Sequence, residues 1–317
     1  MSLLTSIFFY VVSILAIWFG AGLIINSVDK IAQKIRVSSF AISFFVLGLL
    51  TSIPETAVSI NAVINHSPEI FVGTLMGGTV VIFLFIIPIL AIFGNGVKLN
   101  HDLDKKSLAG LLAVIATPGL VILDHKVTNP EGLFLILCYI TIFYIIQRKH
   151  GVLEKHDIDT FTTKNYSFKD LTKVALGIGI ILISSQFIVN QTLAFAELFH
   201  ISAFYISLVV LAVGANLPEL SIAIRAIAIK KKDIAFGDYL GSAAANTLLF
   251  GIFTLANDGE VFTFNSFIIT FIFLITGLFM FYYFSQSKKD ISKKEGIILL
   301  SIYIAFVIYE ISKGVLG

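Results

Sequence analysis

Apolar residues fall in long runs along this chain, and the basic residues sit in the gaps between those runs rather than within them. A bilayer core about 30 Å thick needs roughly 20 apolar residues per helix. Applied along the chain, that rule predicts membrane spans near 4–26, 37–64, 69–94, 106–123, 130–148, 171–194, 201–229, 233–257, 262–284 and 293–315. Ten spans put both termini on one side of the membrane.

The connections test that parity. The odd ones are basic: Lys30, Lys34 and Arg36 in the first, Lys98, Lys105 and Lys106 in the third, Arg148 to Lys173 in the fifth, Lys230 to Lys232 in the seventh, and Lys288, Lys289, Lys293 and Lys294 in the ninth. The even connections carry Lys126 alone, with Glu69, Asp124, Glu131, Glu197, Asp258 and Glu260 on or beside them. The positive-inside rule makes the odd connections cytoplasmic and places both termini outside. The N-terminus, Met1 through Trp18, has no basic lead-in and no small-residue cleavage site, so it reads as a retained first span.

Composition agrees with a protein dissolved in lipid: 57% hydrophobic residues, 13% charged and a mean hydropathy of +0.95 exceed what one soluble core needs. The net charge is only +2, and the basic residues gather mainly in the connections, which points away from nucleic acid as a partner. Cys138 is the single cysteine and lies in an apolar run, so there is no disulfide framework and no thiolate cluster. The polar fifth connection divides the chain into residues 1–148, a linker at 149–170, and residues 171–317. His150 and His156 in or beside it are read as a solvated linker rather than a metal site.

The halves repeat. At a fixed offset of 164 residues, Ser38, Phe40, Ile42 and Ser43 align with Ser202, Phe204, Ile206 and Ser207, and Pro54-Glu55 with Pro218-Glu219. Ile70, Gly73 and Gly77 then meet Ile234, Gly237 and Gly241 without a slip of register. The repeated segments are about 37–94 and 201–257. Because five spans separate them, the repeat is inverted, an architecture recurrent in secondary transporters.

Both repeats place a carboxylate within a span, where insertion costs at least about 2.5 kcal/mol. Pro54 and Pro218 break the helix beside it and loosen backbone carbonyls. Thr51 and Ser52 lie one turn before Glu55, so all three can face one cavity. Asp238, Ser242 and Asn246 form a polar stripe at spacings of four on the eighth span. Asp238, near its end, reads equally as a boundary charge; Glu310 lies near a helix end, and Gln186 and Asn190 can bond across helices. A cage of oxygens with two carboxylates suits a hard cation such as calcium or sodium, or protons that compete for it. No phosphate loop, nucleophile elbow or His-rich motif points to an enzyme.

These residues resemble the cation/calcium exchanger superfamily, which includes the sodium/calcium exchangers, whose two alpha-repeats each carry a Pro-Glu motif followed by a Gly-Ser-Asn type motif. The resemblance implies an all-α fold of ten helices in two inverted five-helix repeats and a calcium antiporter driven by sodium or protons, with no cofactor beyond the transported ions. It implies Glu55 and Glu219 as main calcium ligands, with Thr51, Ser52 and Ser242 adding oxygens; Asn216 and Asn246 stand at further site positions. It also implies a bacterial or archaeal plasma-membrane protein that works by alternating access. The departures lie mainly in the third span, where Gly78 and Ile82 replace the family's Ser and Asn, with Thr79 turned about 100° away. In the seventh span, Ala215 and Asn216 replace the hydroxyl pair, and Asn246 stands where many members have Asp. The alternatives are an exchanger of another cation, proton-coupled, and an ion-binding sensor or scaffold without exchange.

Overall fold

The computed structural model describes residues 3–32, 44–45, 48–98, 103–150, 168–220, 224, 232–257, 260–262, 267–287 and 290–316. His156, most of the linker and the basic first and seventh connections beyond these ranges lie outside the described residues.

The first half holds α1 (Leu3–Ala32), α2 (Gly48–Thr51), α3 (Ile53–Ile64), α4 (Pro68–Phe93), α5 (Lys105–Val121) and α6 (Asn129–His150). The second half holds α7 (Phe168–Phe199), α8 (Ala203–Leu220), α9 (Lys232–Ala256), α10 (Ile268–Ser287) and α11 (Lys293–Leu316). Among the described residues seven helices are long and apolar enough to cross a membrane, and α3 (Ile53–Ile64) is apolar but shorter. Several helices outrun the apolar windows that predict them: α1 extends past residue 26, and α7 past 194. Hydropathy marks the bilayer, whereas backbone hydrogen bonding carries a helix on into the interface. The span expected from residue 262 begins instead at Ile268, because Val261–Phe262 form a strand.

Two short antiparallel pairings tie the halves together. β1 (Val97–Lys98) pairs with β4 (Asp290–Ile291), and β2 (Lys126–Val127) with β3 (Val261–Phe262). In the ten-span order these are the third connection with the ninth and the fourth with the eighth. Each pairing joins connections of equal parity, as residues on the same side of a membrane must.

α4 and α9 form the interior, with 83% and 78% of their apolar windows buried, against 28% for α6 and for α11 on the rim. The rim is apolar on its exposed surface: Leu133, Phe134, Leu137, Ile140 and Tyr144 of α6 face outward. Exposed rows of this size are the inverse of a soluble helix and are what lipid contact requires.

The interior helices pack through glycine. A Cβ on Gly77 of α4 would collide with the Leu208 carbonyl and the Ala212 methyl of α8, and one on Gly241 of α9 would collide with the Phe44 backbone. A Cβ on Gly48 would in turn strike the Gly241 backbone. Leu208 and Ala212 are the repeat partners of Phe44 and Gly48, so the two crossings are the same contact made twice, each between a helix of one half and a helix of the other. Small residues let helix backbones approach where the lipid supplies no hydrophobic drive. The same symmetry governs local backbone: a π-helical turn at Ser207–Leu211 has its counterpart in the π-helical Phe44 and Phe45.

Candidate cation site

Both broken helices interrupt at repeat-equivalent positions. α2 gives way to α3 at Ser52 (φ −78°, ψ 5°), and α8 breaks at Asn216 (φ −90°, ψ 15°). Pro54 and Pro218 follow two residues later in the first turn of the next helical segment, where each lacks the N–H that would bond the carbonyl four residues back. The side chains at the breaks repair the backbone in the same way. Ser52 Oγ donates to the Gly48 carbonyl at 2.7 Å and Asn216 Nδ2 to the Ala212 carbonyl at 2.8 Å. These bonds go to carbonyls one turn before the break, Gly48 and Ala212, and not to those of Leu50 and Gly214, four residues before each proline.

Glu55 and Glu219 start the helical segments after the breaks and are completely buried, as are Thr51, Ser242 and Asp238. Ser242 Oγ donates to Glu219 Oε1 at 2.8 Å, and Thr51 Oγ1 lies 3.2 Å from Asp238 Oδ1 and also bonds the Glu219 side chain. Among the described residues neither Glu55 oxygen has a hydrogen-bond partner, nor have Glu219 Oε2, Asp238 Oδ2, Asn216 Oδ1 and Asn246 Oδ1. The amide nitrogens, by contrast, face the walls: that of Asn216 is held by Ala212, and Asn246 Nδ2 lies 3.5 Å from both the Leu75 carbonyl and Thr79 Oγ1.

The two serine hydroxyls also hydrogen-bond each other: Ser52 Oγ and Ser242 Oγ stand 3.3 Å apart, beside the shorter bonds of Ser52 to the Gly48 carbonyl and of Ser242 to Glu219. The interior therefore gathers hydroxyls and carboxyl groups in one place, and burying a carboxylate charge there uncompensated is prohibitive. Among the described residues no three His, Cys, Asp or Glu side chains gather as a compact metal cluster. The neutral oxygens come from Thr, Ser and Asn, hard donors of the kind that suit a hard cation.

All seven of the expected ligands, Glu55, Glu219, Thr51, Ser52, Asn216, Ser242 and Asn246, line this region of the bundle interior. Asp238 is not a boundary charge: it is 0% exposed and shares the interior with Glu55 and Glu219. Its four-residue spacing to Ser242 carried that information, while its nearness to the helix end obscured it. Thr79 also reaches the site, through Asn246, despite its turn away from the Thr74-Gly78-Ile82 row; its own proton goes to the Leu75 carbonyl at 3.1 Å. The Tyr239 hydroxyl, buried and without a partner in the protein, lies close enough to Asp238 and Glu219 to feel their charge and had no sequence signal. Glu310 is buried too and accepts from the Thr270 hydroxyl, away from this site. Gln186 and Asn190 bond each other within α7 rather than across helices.

Broken helices from two halves, crossing on glycine and enclosing buried carboxyl and amide oxygens without partners among the described residues, define the class as a secondary cation transporter. The chain belongs to the sodium/calcium exchanger protein family, whose model matches residues 5–147 and 171–312. It is 25% identical over 260 residues to the inner membrane protein YrbG of Escherichia coli, covering 76% of this chain and 79% of that one. It is 24% identical over 331 residues to the sodium/calcium exchanger MaX1 of Methanosarcina acetivorans, covering 91% of this chain and 93% of the relative. The fold matches the solved structure of the sodium-calcium exchanger NCX_Mj soaked with sodium and strontium, at a TM-score of 0.70 and 19% identity over 97% of this chain and 99% of that one. The protein is thus a multi-pass membrane protein of an exchanger family and not an enzyme.

Proposed function

We propose that this protein is a calcium antiporter that exports calcium in exchange for sodium or protons, by alternating access to the site between the two halves. The observation that carries the reading is the set of unpaired buried oxygens on Glu55 and Glu219. Two carboxylates at repeat-equivalent places of crossed helices supply the charge to hold one divalent cation. The oxygens of Thr51, Ser52, Asn216, Ser242 and Asn246 replace water around calcium or the coupling ion. The same oxygens can hold one calcium or several monovalent ions but not both sets, and that competition is the physical basis of exchange. The halves 1–148 and 171–317 act as the two repeats around the fixed site, with both termini outside and the linker cytoplasmic.

The loss of oxygen ligands at Gly78 and Ile82 favours a second reading of the coupling, in which protons drive exchange because fewer neutral ligands remain to dehydrate several sodium ions.

The test is calcium-45 uptake into proteoliposomes loaded with sodium, repeated with a proton gradient. Glu55→Gln and Glu219→Gln are each expected to lower uptake by about 100-fold or more, since removing one charge of a buried set costs about 3–5 kcal/mol. Uptake that survives both substitutions contradicts the site. The absence of any gradient-driven cation flux contradicts antiport and leaves an ion-binding sensor or scaffold.

A further inference from the structure

We propose that Asp238, with the Thr51 hydroxyl that also contacts Glu219, forms a monovalent-cation subsite of the exchange cavity, a sodium seat beside the glutamate pair. The inference rests on the calcium reading of Glu55 and Glu219 and names where the competing ion binds.

Asp238 is completely buried, and among the described residues one of its oxygens has no partner while the other takes the Thr51 hydroxyl, at 3.2 Å. Its charged neighbours are Glu219 and Glu55, both negative. A carboxylate in these surroundings does not persist ionised without a bound cation. Its place on α9 sets it apart from the other ligands. Ser242, one turn along, is held by Glu219, and Asn246 is two turns along, about 12 Å away at 1.5 Å per residue. The third carboxylate of this interior thus stands at the N-terminal end of the stripe, with an amide at the other end.

The repeat shows that the seat exists once only. The partners of Thr51 and Asp238 at the other crossing are Ala215 and Thr74, and Thr74 turns its hydroxyl to the Ile70 carbonyl at 2.7 Å. No charge and no outward-facing oxygen remains there. One carboxylate, with a hydroxyl it shares with Glu219, balances a single positive charge, and hard oxygen donors select an alkali cation over a soft one.

The experiment is displacement of calcium-45 by sodium from the purified full-length chain, measured for the unaltered protein, Asp238→Asn and Asp238→Glu. In Asp238→Asn the sodium concentration for half-displacement is expected to rise about tenfold more than the Kd for calcium changes, with a shallower displacement curve. Asp238→Glu, which keeps the charge and moves it by one methylene, is expected to shift sodium about threefold in the same direction and serves if the Asn variant fails to fold. Parallel changes in sodium and calcium would overturn the proposal by making Asp238 part of one shared site. Unchanged sodium displacement in either variant, or an unaltered chain that binds calcium but ignores sodium, would overturn it as well. An unaltered chain that binds no calcium refutes the calcium reading itself.

Discussion

At one interhalf crossing, between α2 and α9, a serine meets a serine: Ser52 and Ser242 stand 3.3 Å apart. At the equivalent crossing, between α8 and α4, the corresponding pair is Asn216 and Gly78, and a Cβ on Gly78 would lie 3.0 Å from Asn216 Nδ2 and 3.2 Å from Asn246 Nδ2. The missing ligand in α4 is therefore not a simple loss. The larger amide on one helix takes the space vacated by the smaller residue on the other, and Asn216 Oδ1 supplies an oxygen where a serine on α4 would have done so. A symmetric scaffold tolerates an asymmetric site because each crossing is packed on its own, to its own volume.

The scaffold should be the less forgiving part. Gly77→Ala and Gly241→Ala each drive a methyl into backbone, and overpacking of that kind costs about 1–3 kcal/mol or more. Both are expected to lower the Tm in detergent by several degrees, a larger loss of stability than any change to a ligand oxygen produces. A loss at only one of the two would mean that the crossings are not equivalent.

The compensation between Asn216 and Gly78 makes a double-mutant prediction. Gly78→Ser alone crowds two amides and is expected to destabilise the protein and weaken calcium binding. Adding Asn216→Ser should recover much of both, with a coupling energy of about 1–3 kcal/mol from the four Tm and Kd values. Additive single effects would break the comparison.

Asn246→Asp would place a carboxylate at the far end of the α9 stripe, giving that wall a charge at each end. Calcium affinity measured by titration calorimetry is expected to tighten by about tenfold, or 1.4 kcal/mol. Thr79→Val removes a hydroxyl that touches Asn246 only at 3.5 Å, so its effect on calcium affinity should stay under about 1 kcal/mol.

Much of the scaffold was legible because its determinants are local or periodic. Pro54-Glu55 and Pro218-Glu219 stand at one offset, and so do the glycines that make both crossings. What escaped required a neighbour distant in sequence. Asp238 reads equally as a boundary charge or a ligand until Thr51, Glu55 and Glu219 are known to surround it. Thr79 points away from its own helix's polar row and reaches the site only through Asn246. Gly78 looks like a vacancy until Asn216 is seen over it. The two-residue strands are too short for any pattern, yet they link connections far apart in the chain.

The most direct test of the central claim is a crystal structure of this protein grown with strontium, a calcium surrogate located by its anomalous scattering. The account predicts a single strong peak at ligand distance, about 2.3–2.7 Å, from oxygens of both Glu55 and Glu219. A peak bound elsewhere, or one that touches neither glutamate, would contradict it.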